Sequence, residues 1–134
     1  MGPLDGVRVV ELSHERGAWA GKLLADMGAD VVVVEPPGGS AQRSYGPFLD
    51  DEPGHERSLW WWHYNTSKRG VVLDLDTDAG ADHFRRLAAA ADIVLEGEPP
   101  ESLARRGAVV TTTTRSRRCG AVATRRSTSA ARTR

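Results

Sequence analysis

The sequence has a single cysteine, no long apolar run and no recognisable leader. One cysteine among 134 residues excludes a disulfide framework and a cysteine-ligated zinc site. No stretch of about 18 apolar residues occurs, which excludes a transmembrane helix. The start of the chain lacks both the basic and the apolar segment of a secretory signal. We therefore expect a cytoplasmic protein.

Residues 108–134 lack acidic residues and the large apolar types Leu, Ile, Met, Phe, Tyr and Trp. They contain seven Arg, whereas residues 1–107 contain all 18 acidic residues and 11 basic ones, so the formal charges of the two parts are +7 and −7. A segment without large apolar side chains cannot bury enough surface to offset its ordering entropy. We predict one domain over residues 1–107 and a low-complexity, Arg/Thr-rich, disordered tail over residues 108–134.

The beginning of the chain predicts a βαβ unit. Residues 7–12 are rich in β-branched side chains and predict a strand, and residues 18–27 predict a helix that ends at Gly28. The four valines at 31–34 show no polar alternation, as in a strand buried on both faces. Two strands joined by one helix are expected to be parallel. The helix stripe expected to face the core consists of Trp19, Leu23, Leu24 and Met27.

The rest of the domain continues the alternation of strands and helices. Residues 36–57, rich in Pro, Gly and acidic side chains, predict a long loop. Thr77 or Asp78 can cap a helix over about 80–91. An α/β fold with a parallel sheet and flanking helices follows. The remaining predicted elements are a short aromatic helix at 58–64, strands at 71–75 and 93–95, and a helical turn at 99–106.

Ligands of open parallel sheets bind beyond the carboxyl ends of the strands. The first turn there, Leu12–Ala18, lacks the Gly-x-Gly-x-x-Gly fingerprint, and the chain contains no P-loop. His14 in this turn could act as a general base or contact a ligand, or it could only cap the helix. His55, His63 and His83 lack metal-ligand spacing, so we predict no metal site.

Asn65 to Gly70 form the clearest polar cluster. Lys68 and Arg69 beside small hydroxyl residues suit a phosphate, with Lys as a point charge and Arg as a fork. The same residues could form a solvated loop before a strand, which composition alone favours. The three consecutive aromatics Trp60–Trp62 cannot share one helix face, so at least one should be in the core.

Three blocks of sequence carry a family resemblance. Residues 3–39 contain Pro-Leu-Asp-Gly-Val-Arg-Val-Val-Glu-Leu, then Gly-Lys-Leu-Leu-Ala-Asp-Met-Gly-Ala-Asp-Val, then Val-Glu-Pro-Pro-Gly-Gly. The second block is Tyr64–Leu75, and the third runs from Ala91 to Glu96 and from Pro99 to Gly107. Together they resemble the start of the family III CoA-transferases, the group of formyl-CoA transferase, CaiB-type carnitine CoA-transferase and α-methylacyl-CoA racemase.

The resemblance implies a Rossmann-like but incomplete large domain that binds coenzyme A at its strand ends. Acyl-CoA and a carboxylic acid would be the substrates, with no permanently bound cofactor and no membrane or nucleic-acid partner. Full-length members form interlocked homodimers. In the transferases an aspartate takes the acyl group as a mixed anhydride and then forms a CoA thioester, whereas the racemases move an α-proton with acid and base residues.

The resemblance also implies site residues. The family's catalytic aspartate belongs to a segment beyond the third block, so we assign no catalytic residue and expect the chain to be inactive alone. Leu73 would form a wall beside the adenine, and Arg105 would bind a phosphate. Gly97 stands where many members have Asn. The predicted CoA contacts, including the two cations of the polar cluster, are His14, Glu15, Arg16, Pro36, Lys68, Arg69, Leu73, Asp74, Gly97 and Arg105.

Three other interpretations remain open. The chain could be a fragment of an α-methylacyl-CoA racemase, or a non-catalytic module that binds CoA or a nucleotide. Nucleic-acid binding through the Arg-rich tail ranks last, because the folded part is acidic and the tail has no aromatic residue for stacking. The family pattern stops abruptly after Gly107, from which we predict a reading-frame shift or a gene-model error there. Translating the DNA in the other two frames tests this.

Overall fold

The computed structural model describes residues 2–99 and 101–108. Of the tail predicted to be disordered, everything beyond Ala108 lies outside the described residues. Ala108 itself is fully buried, and its amide donates a hydrogen bond to the carbonyl of Leu103 at 2.9 Å. The packed part of the chain therefore continues past the boundary expected at Gly107.

The described strands form one parallel sheet. Val10 in the first strand lies opposite Val32 on one side and Val94 on the other, and every strand pair is parallel. The strands are β1 (Arg8–Leu12), β2 (Asp30–Glu35), β3 (Arg69–Val72) and β4 (Ile93–Leu95). The predicted parallel α/β architecture is confirmed, with a strand order of β3-β2-β1-β4, which is that of the first strands of a Rossmann sheet.

Short hydroxyl side chains cap the beginnings of two of the described helices. Thr77 accepts a hydrogen bond from the amide of Gly80 at 3.1 Å and so caps the third helix, as predicted. Ser58 caps the second in the same way through the amide of Trp61 at 3.0 Å. The longest described helices have 12 residues, too few to cross a bilayer. The helices are α1 (Glu15–Asp26), α2 (Leu59–Asn65), α3 (Asp78–Ala89) and α4 (Ser102–Arg105).

The long loop predicted over residues 36–57 is more ordered than expected. It contains two short 3₁₀ turns, at Ala41–Ser44 and Leu49–Asp51. Phe48 also forms an isolated antiparallel bridge with Ser58. Charged side chains at these turns form ion pairs, Arg43 with Glu35 and Asp50 with Arg57. The segment therefore contains ordered turns, although its Pro and Gly residues interrupt regular helices and strands.

Apolar side chains pack on both faces of the sheet. On one face, Val10 and Val34 meet Phe84 of α3, which is fully buried. On the other, Val9 and Val31 pack against Ala25 of α1. Burial on both faces explains why the valines of β2 show no polar alternation. The consecutive aromatics of α2 divide as predicted, since Trp61 is buried and Trp62 is exposed.

The apolar stripe predicted for α1 is wrong for three of its four members, and only Leu24 packs against the core. Trp19, Leu23 and Met27 are 53%, 42% and 40% exposed, and the helix instead turns its small residues to the sheet, namely Ala18, Gly21 and Ala25. Close packing is the reason. A Cβ on Gly21 would lie 1.7 Å from a carboxylate oxygen of Glu11, so the helix lies too near the sheet for a larger side chain.

That carboxylate belongs to a buried ion pair between β1 and the loop before β3. The ammonium of Lys68 lies 2.8 Å and 3.0 Å from the two oxygens of Glu11, and both side chains are fully buried. Lys68 also donates to the carbonyl of Ala18 and the side-chain oxygen of Asn65, each at 3.2 Å. Burial raises the pKa of Glu11 and lowers the pKa of Lys68, and their mutual contact opposes both shifts. The pair ties α1, β1 and the end of α2 together.

Replacing Lys68 by Met should destabilise the fold, because it leaves a buried carboxylate unpaired. The variant leaves the Glu11 carboxylate without its cation, so we expect the free energy of unfolding near neutral pH to fall by about 3–5 kcal/mol. Without the ammonium, the folded-state pKa of Glu11 rises further above its unfolded value. Stability should then be greatest in acid and should be lost as the pH rises. Chemical denaturation from about pH 5 to about pH 8 measures both effects.

The control is the double variant Glu11→Gln/Lys68→Met, which removes both charges. Its stability should change with pH no more than that of the unaltered protein. Equal pH slopes for the single and the double variant would contradict the assignment.

Candidate functional site

A cavity of about 340 Å³ lies beyond the carboxyl ends of β1, β2 and β3. β1 stands between β2 and β4, so the chain winds away from β1 in both directions, and ligands of open α/β sheets bind at such a switch point. The apolar part of the lining includes Leu12, Val34, Leu73 and Leu75. Five of the predicted CoA contacts line this cavity: His14, Glu15, Pro36, Leu73 and Asp74.

His14 links α1 to the segment after β4. Its Nδ1 accepts a hydrogen bond from the amide of Arg16 at 3.2 Å and caps α1, which is why that helix begins at Glu15 and not at Ala18. Because Nδ1 is the acceptor, the neutral ring carries its proton on Nε2 and can donate it to a ligand. A Cβ on Gly97 would lie only 2.9 Å from Nδ1, so this close approach requires glycine. Arg16 is exposed nearby and does not line the cavity.

A second buried carboxylate fixes the wall of the cavity that follows β2. Glu35 accepts two hydrogen bonds from the guanidinium of Arg43, at 2.6 Å and 2.8 Å, and a third from the amide of Ser40 at 2.9 Å. The same guanidinium lies 4.3 Å from the centre of the Trp61 ring. Burial alone would raise the pKa of Glu35, but the bonds from Arg43 and Ser40 outweigh it and hold the pKa below its ordinary value.

The pair of Glu35 and Arg43 closes a loop whose residues line the cavity. Pro36, Ser40 and Tyr45 all belong to this loop and all face the cavity. The backbone carbonyl of Glu35 also accepts a hydrogen bond from the amide of Leu73 at 3.0 Å, which joins the loop to the end of β3. One ion pair therefore positions two walls of the site. Sequence reasoning missed Arg43, because only the folded loop brings it back to Glu35.

Arg106, and not the predicted Arg105, is the arginine after β4 that lines the cavity. Its guanidinium lies 3.1 Å from Asp76 and 3.1 Å from Glu98, so it bridges the exits of β3 and β4. Arg105 is exposed and does not line the cavity. Adjacent arginines are equivalent in the sequence, and only the phase of α4 decides which one faces inward.

The two cations of the polar cluster, Lys68 and Arg69, do not line this cavity. Lys68 is buried against Glu11 beneath α1 and cannot reach a ligand in the cavity. Arg69 forms a two-fold hydrogen bond with Asp30, at 2.9 Å and 2.7 Å, near the amino ends of the strands. Both side chains have carboxylate partners within the fold, which is the physical reason why they lie away from the cavity.

The charge of the cavity is predominantly negative. Five carboxylates line it, at Glu15, Glu35, Asp74, Asp76 and Glu98, with Arg106 as the cationic side chain among the lining residues. Arg43 neutralises Glu35 from behind the wall. Among residues 2–99 and 101–108, no cluster of three or more His, Cys, Asp or Glu side chains is placed to hold a metal ion. The arrangement suits an uncharged polar group with hydrogen-bond donors better than a phosphate.

Replacing Glu35 by Gln should change stability in acid. Ionised Glu35 stabilises the fold above its unfolded pKa, and this contribution is lost as the pH falls through the lower folded pKa. The variant should be less stable at neutral pH and should lose less further stability between about pH 5 and about pH 3. Denaturation across that range measures the difference.

Glu52→Gln is the matched control, because its carboxylate is exposed and meets Arg57 at the surface. This variant should lose nearly as much stability between about pH 5 and about pH 3 as the unaltered protein does. If Glu35→Gln followed the curve of the unaltered protein, the anchoring role of Glu35 would be wrong.

Known proteins are similar to this chain in sequence and fold. Succinate–glutarate CoA-transferase of Agrobacterium fabrum is 45% identical over 109 residues, which cover 78% of this chain and 27% of that protein. Subunit BbsE of succinyl-CoA:(R)-benzylsuccinate CoA-transferase from Thauera aromatica is 41% identical, over 69% of this chain and 23% of its own. The crystal structure of a CAIB/BAIF family protein from Brucella suis superimposes with a TM-score of 0.70 and 41% identity, over 79% of this chain and 28% of that one.

The chain thus spans about a quarter of the length of the curated relatives it matches. The sequence pattern of the family described as CoA-transferase family III matches residues 4–116. This range includes every described strand and helix and extends past the expected boundary at Gly107. The resemblance seen in the three sequence blocks is confirmed, and the chain belongs to the family III CoA-transferases.

Proposed function

We propose that this chain supplies the CoA-binding part of an enzyme that moves CoA between an acyl-CoA and a carboxylic acid. The observation that carries the proposal is the cavity at the carboxyl edge of a Rossmann-ordered sheet, in a chain that belongs to the family described as CoA-transferase family III. Ligand sites of such sheets lie at this edge. The names of the relatives favour transfer of CoA over racemisation or binding alone.

The cavity would hold one end of the CoA molecule. Leu73 and Pro36 offer apolar surface to a flat ring, and His14 offers a donor from Nε2. Phosphates would lie outside the acidic lining, where the exposed Arg16 and Arg105 provide cations. The role of the described residues is therefore binding and orientation, which bring the thioester of a bound acyl-CoA to a fixed place.

The transfer itself would use covalent catalysis by a carboxylate. An aspartate attacks the thioester carbonyl, the C–S bond breaks and CoA leaves as a thiolate, which gives a mixed anhydride. The thiolate then attacks the aspartyl carbonyl and releases the first acid. The incoming carboxylate attacks the carbonyl of the aspartyl-CoA thioester, which breaks the C–S bond and gives a second mixed anhydride. The released thiolate then attacks the acyl carbonyl of this anhydride, which forms the new acyl-CoA and frees the aspartate. By family resemblance this aspartate belongs to sequence beyond the third block, and no carboxylate of the cavity is assigned the role.

The relatives also indicate a class of substrates. Their names pair succinate or succinyl-CoA with glutarate and with (R)-benzylsuccinate, so a dicarboxylic acid occurs on at least one side of each reaction. We extend this to the present chain and propose succinyl-CoA as donor and a dicarboxylate as acceptor. By resemblance, a chain of the family's full length would work as an interlocked homodimer.

Replacing Leu73 by Ala should weaken CoA binding. Leu73 lines the cavity and is half-buried, and removing its apolar contact surface should reduce affinity about five- to tenfold. Val72→Ala is the matched control, because Val72 is the neighbouring residue, is 58% exposed and does not line the cavity. Titration followed by NMR chemical shifts measures both affinities. Equal losses in the two variants would contradict the assigned site.

The chain alone should bind CoA in about the millimolar range and should not transfer it. A few charge-assisted contacts of about 1.5–3 kcal/mol each give weak binding when most of the family's length is absent. Transfer of CoA from succinyl-CoA to glutarate, followed by chromatography, is the assay, with a chain extended to the family's full length as the positive control. Turnover by the 134-residue chain would show that a carboxylate within it is the nucleophile.

A further inference from the structure

A second cavity, of about 300 Å³, lies at the opposite edge of the sheet, where the strands begin. Arg8, Asp30 and Arg69 are the first residues of β1, β2 and β3, and all three line this amino-edge cavity. The cavity thus joins a charged rim to an apolar floor. The floor comes from β1, β2 and the end of α3 and consists of Val9, Val10, Val32, Leu87, Ala90 and Ala91.

Short side chains at the end of α3 leave this space open. Ala90 caps the helix and Ala91 follows it, and a methyl group at these positions does not reach across the beginning of β2. Val32 is consequently only half-buried, whereas Val34, two residues further along the same face, is 2% exposed within the core. An apolar ligand would remove this remaining surface from water, which favours its binding.

The rim carries two guanidiniums and one carboxylate. Arg69 donates two hydrogen bonds to Asp30, at 2.9 Å and 2.7 Å, and so pairs that carboxylate. The guanidinium of Arg8 has five N–H donors, of which one donates to the carbonyl of Ala90 at 3.4 Å. The carboxylate of Asp92 accepts a hydrogen bond from the backbone amide of Arg8 and does not line the cavity. The lining residues therefore carry one positive charge in excess, centred on Arg8.

An apolar floor below one excess positive charge is complementary to an aliphatic carboxylate. A guanidinium can hold a carboxylate by two parallel hydrogen bonds. The volume of the cavity is at the lower end of the range of pockets that bind small molecules, which limits the hydrocarbon part to a short chain. A phosphate has no apolar surface and would leave the floor exposed to water.

We propose that the amino-edge cavity binds a short-chain aliphatic monocarboxylate, whose carboxylate pairs with Arg8 and whose hydrocarbon chain lies between the end of α3 and β2. The site goes beyond the proposed function, because it lies at the edge of the sheet opposite to the cavity assigned to CoA. The two cavities differ in charge as well, since the one assigned to CoA is lined mainly by carboxylates.

Three small probes separate the contributions of chain and charge. Hexanoate has both, 1-hexanol has the chain without the charge, and acetate has the charge with almost no chain. We expect hexanoate to bind in about the millimolar range, as befits a ligand with few atoms. Each of the other two should bind at least about tenfold more weakly. Titrations followed by NMR chemical shifts give the dissociation constants, and the shifts should centre on the amides of Val10, Val32 and Leu87.

Replacing Arg8 by Gln tests the proposed anion contact. The amide of Gln keeps a donor for the carbonyl of Ala90 but removes the charge, so hexanoate should bind about tenfold more weakly while 1-hexanol binds as before. Arg86→Gln is the matched control, because Arg86 is an exposed arginine in the last turn of α3 and does not line the cavity. Its affinity for hexanoate should stay within about twofold of that of the unaltered protein.

Replacing Ala91 by Leu tests the place of the hydrocarbon chain. The larger side chain fills space next to Val32, so hexanoate and 1-hexanol should both lose at least about tenfold in affinity. Ala89→Leu adds the same side chain at an exposed position that does not line the cavity. It should leave both affinities within about twofold.

Three results would overturn the proposal. The first is equal binding of hexanoate and 1-hexanol, or no binding of hexanoate at all. The second is an equal loss of hexanoate affinity in Arg8→Gln and Arg86→Gln, or in Ala91→Leu and Ala89→Leu. The third is competition between CoA and hexanoate, which would place the carboxylate in the cavity at the carboxyl edge. Hexanoate binding that follows the expected pattern supports the site even if the chain does not bind CoA.

Discussion

The parallel hydrogen bonding of β1 to both of its neighbours is the constraint on which the site depends. With β2 on one side and β4 on the other, the carboxyl ends of all described strands fall on one edge of the sheet. His14, Pro36 and Asp74 are far apart in sequence and meet there because each follows the end of its own strand. The cavity is thus a consequence of parallel pairing and strand order.

Two buried carboxylates at strand ends serve different parts of this arrangement. Glu11 in β1 pairs with Lys68 beneath α1, and the pair holds the helix close to the sheet. Glu35 at the end of β2 pairs with Arg43 and anchors the loop that forms a wall of the cavity. Each charge is buried with its partner, since an unpaired charge would cost several kcal/mol in the interior. The first pair supports the fold, and the second supports the site.

The acidic lining of the cavity does not suit the phosphates of an anionic substrate. CoA carries phosphates, yet the cavity offers mainly carboxylates, with Arg106 already engaged by Asp76 and Glu98. A site of this composition fits the uncharged part of the molecule and leaves its phosphates to exposed cations at the rim. Apolar surface and hydrogen-bond acceptors would then give selectivity, while charge would set only the orientation.

The sequence by itself determined the order of strands and helices, the parallel sheet, the cap at Thr77 and the family, because these follow from local periodicity and from blocks of contiguous residues. It did not determine which face of α1 is buried, since the close approach of Gly21 to Glu11 outweighs the apolar stripe. Nor could it pair Lys68 with Glu11 or Arg43 with Glu35. Those partners are distant in sequence or separated by a loop, and only the tertiary structure brings opposite charges together and decides which cations remain for a ligand.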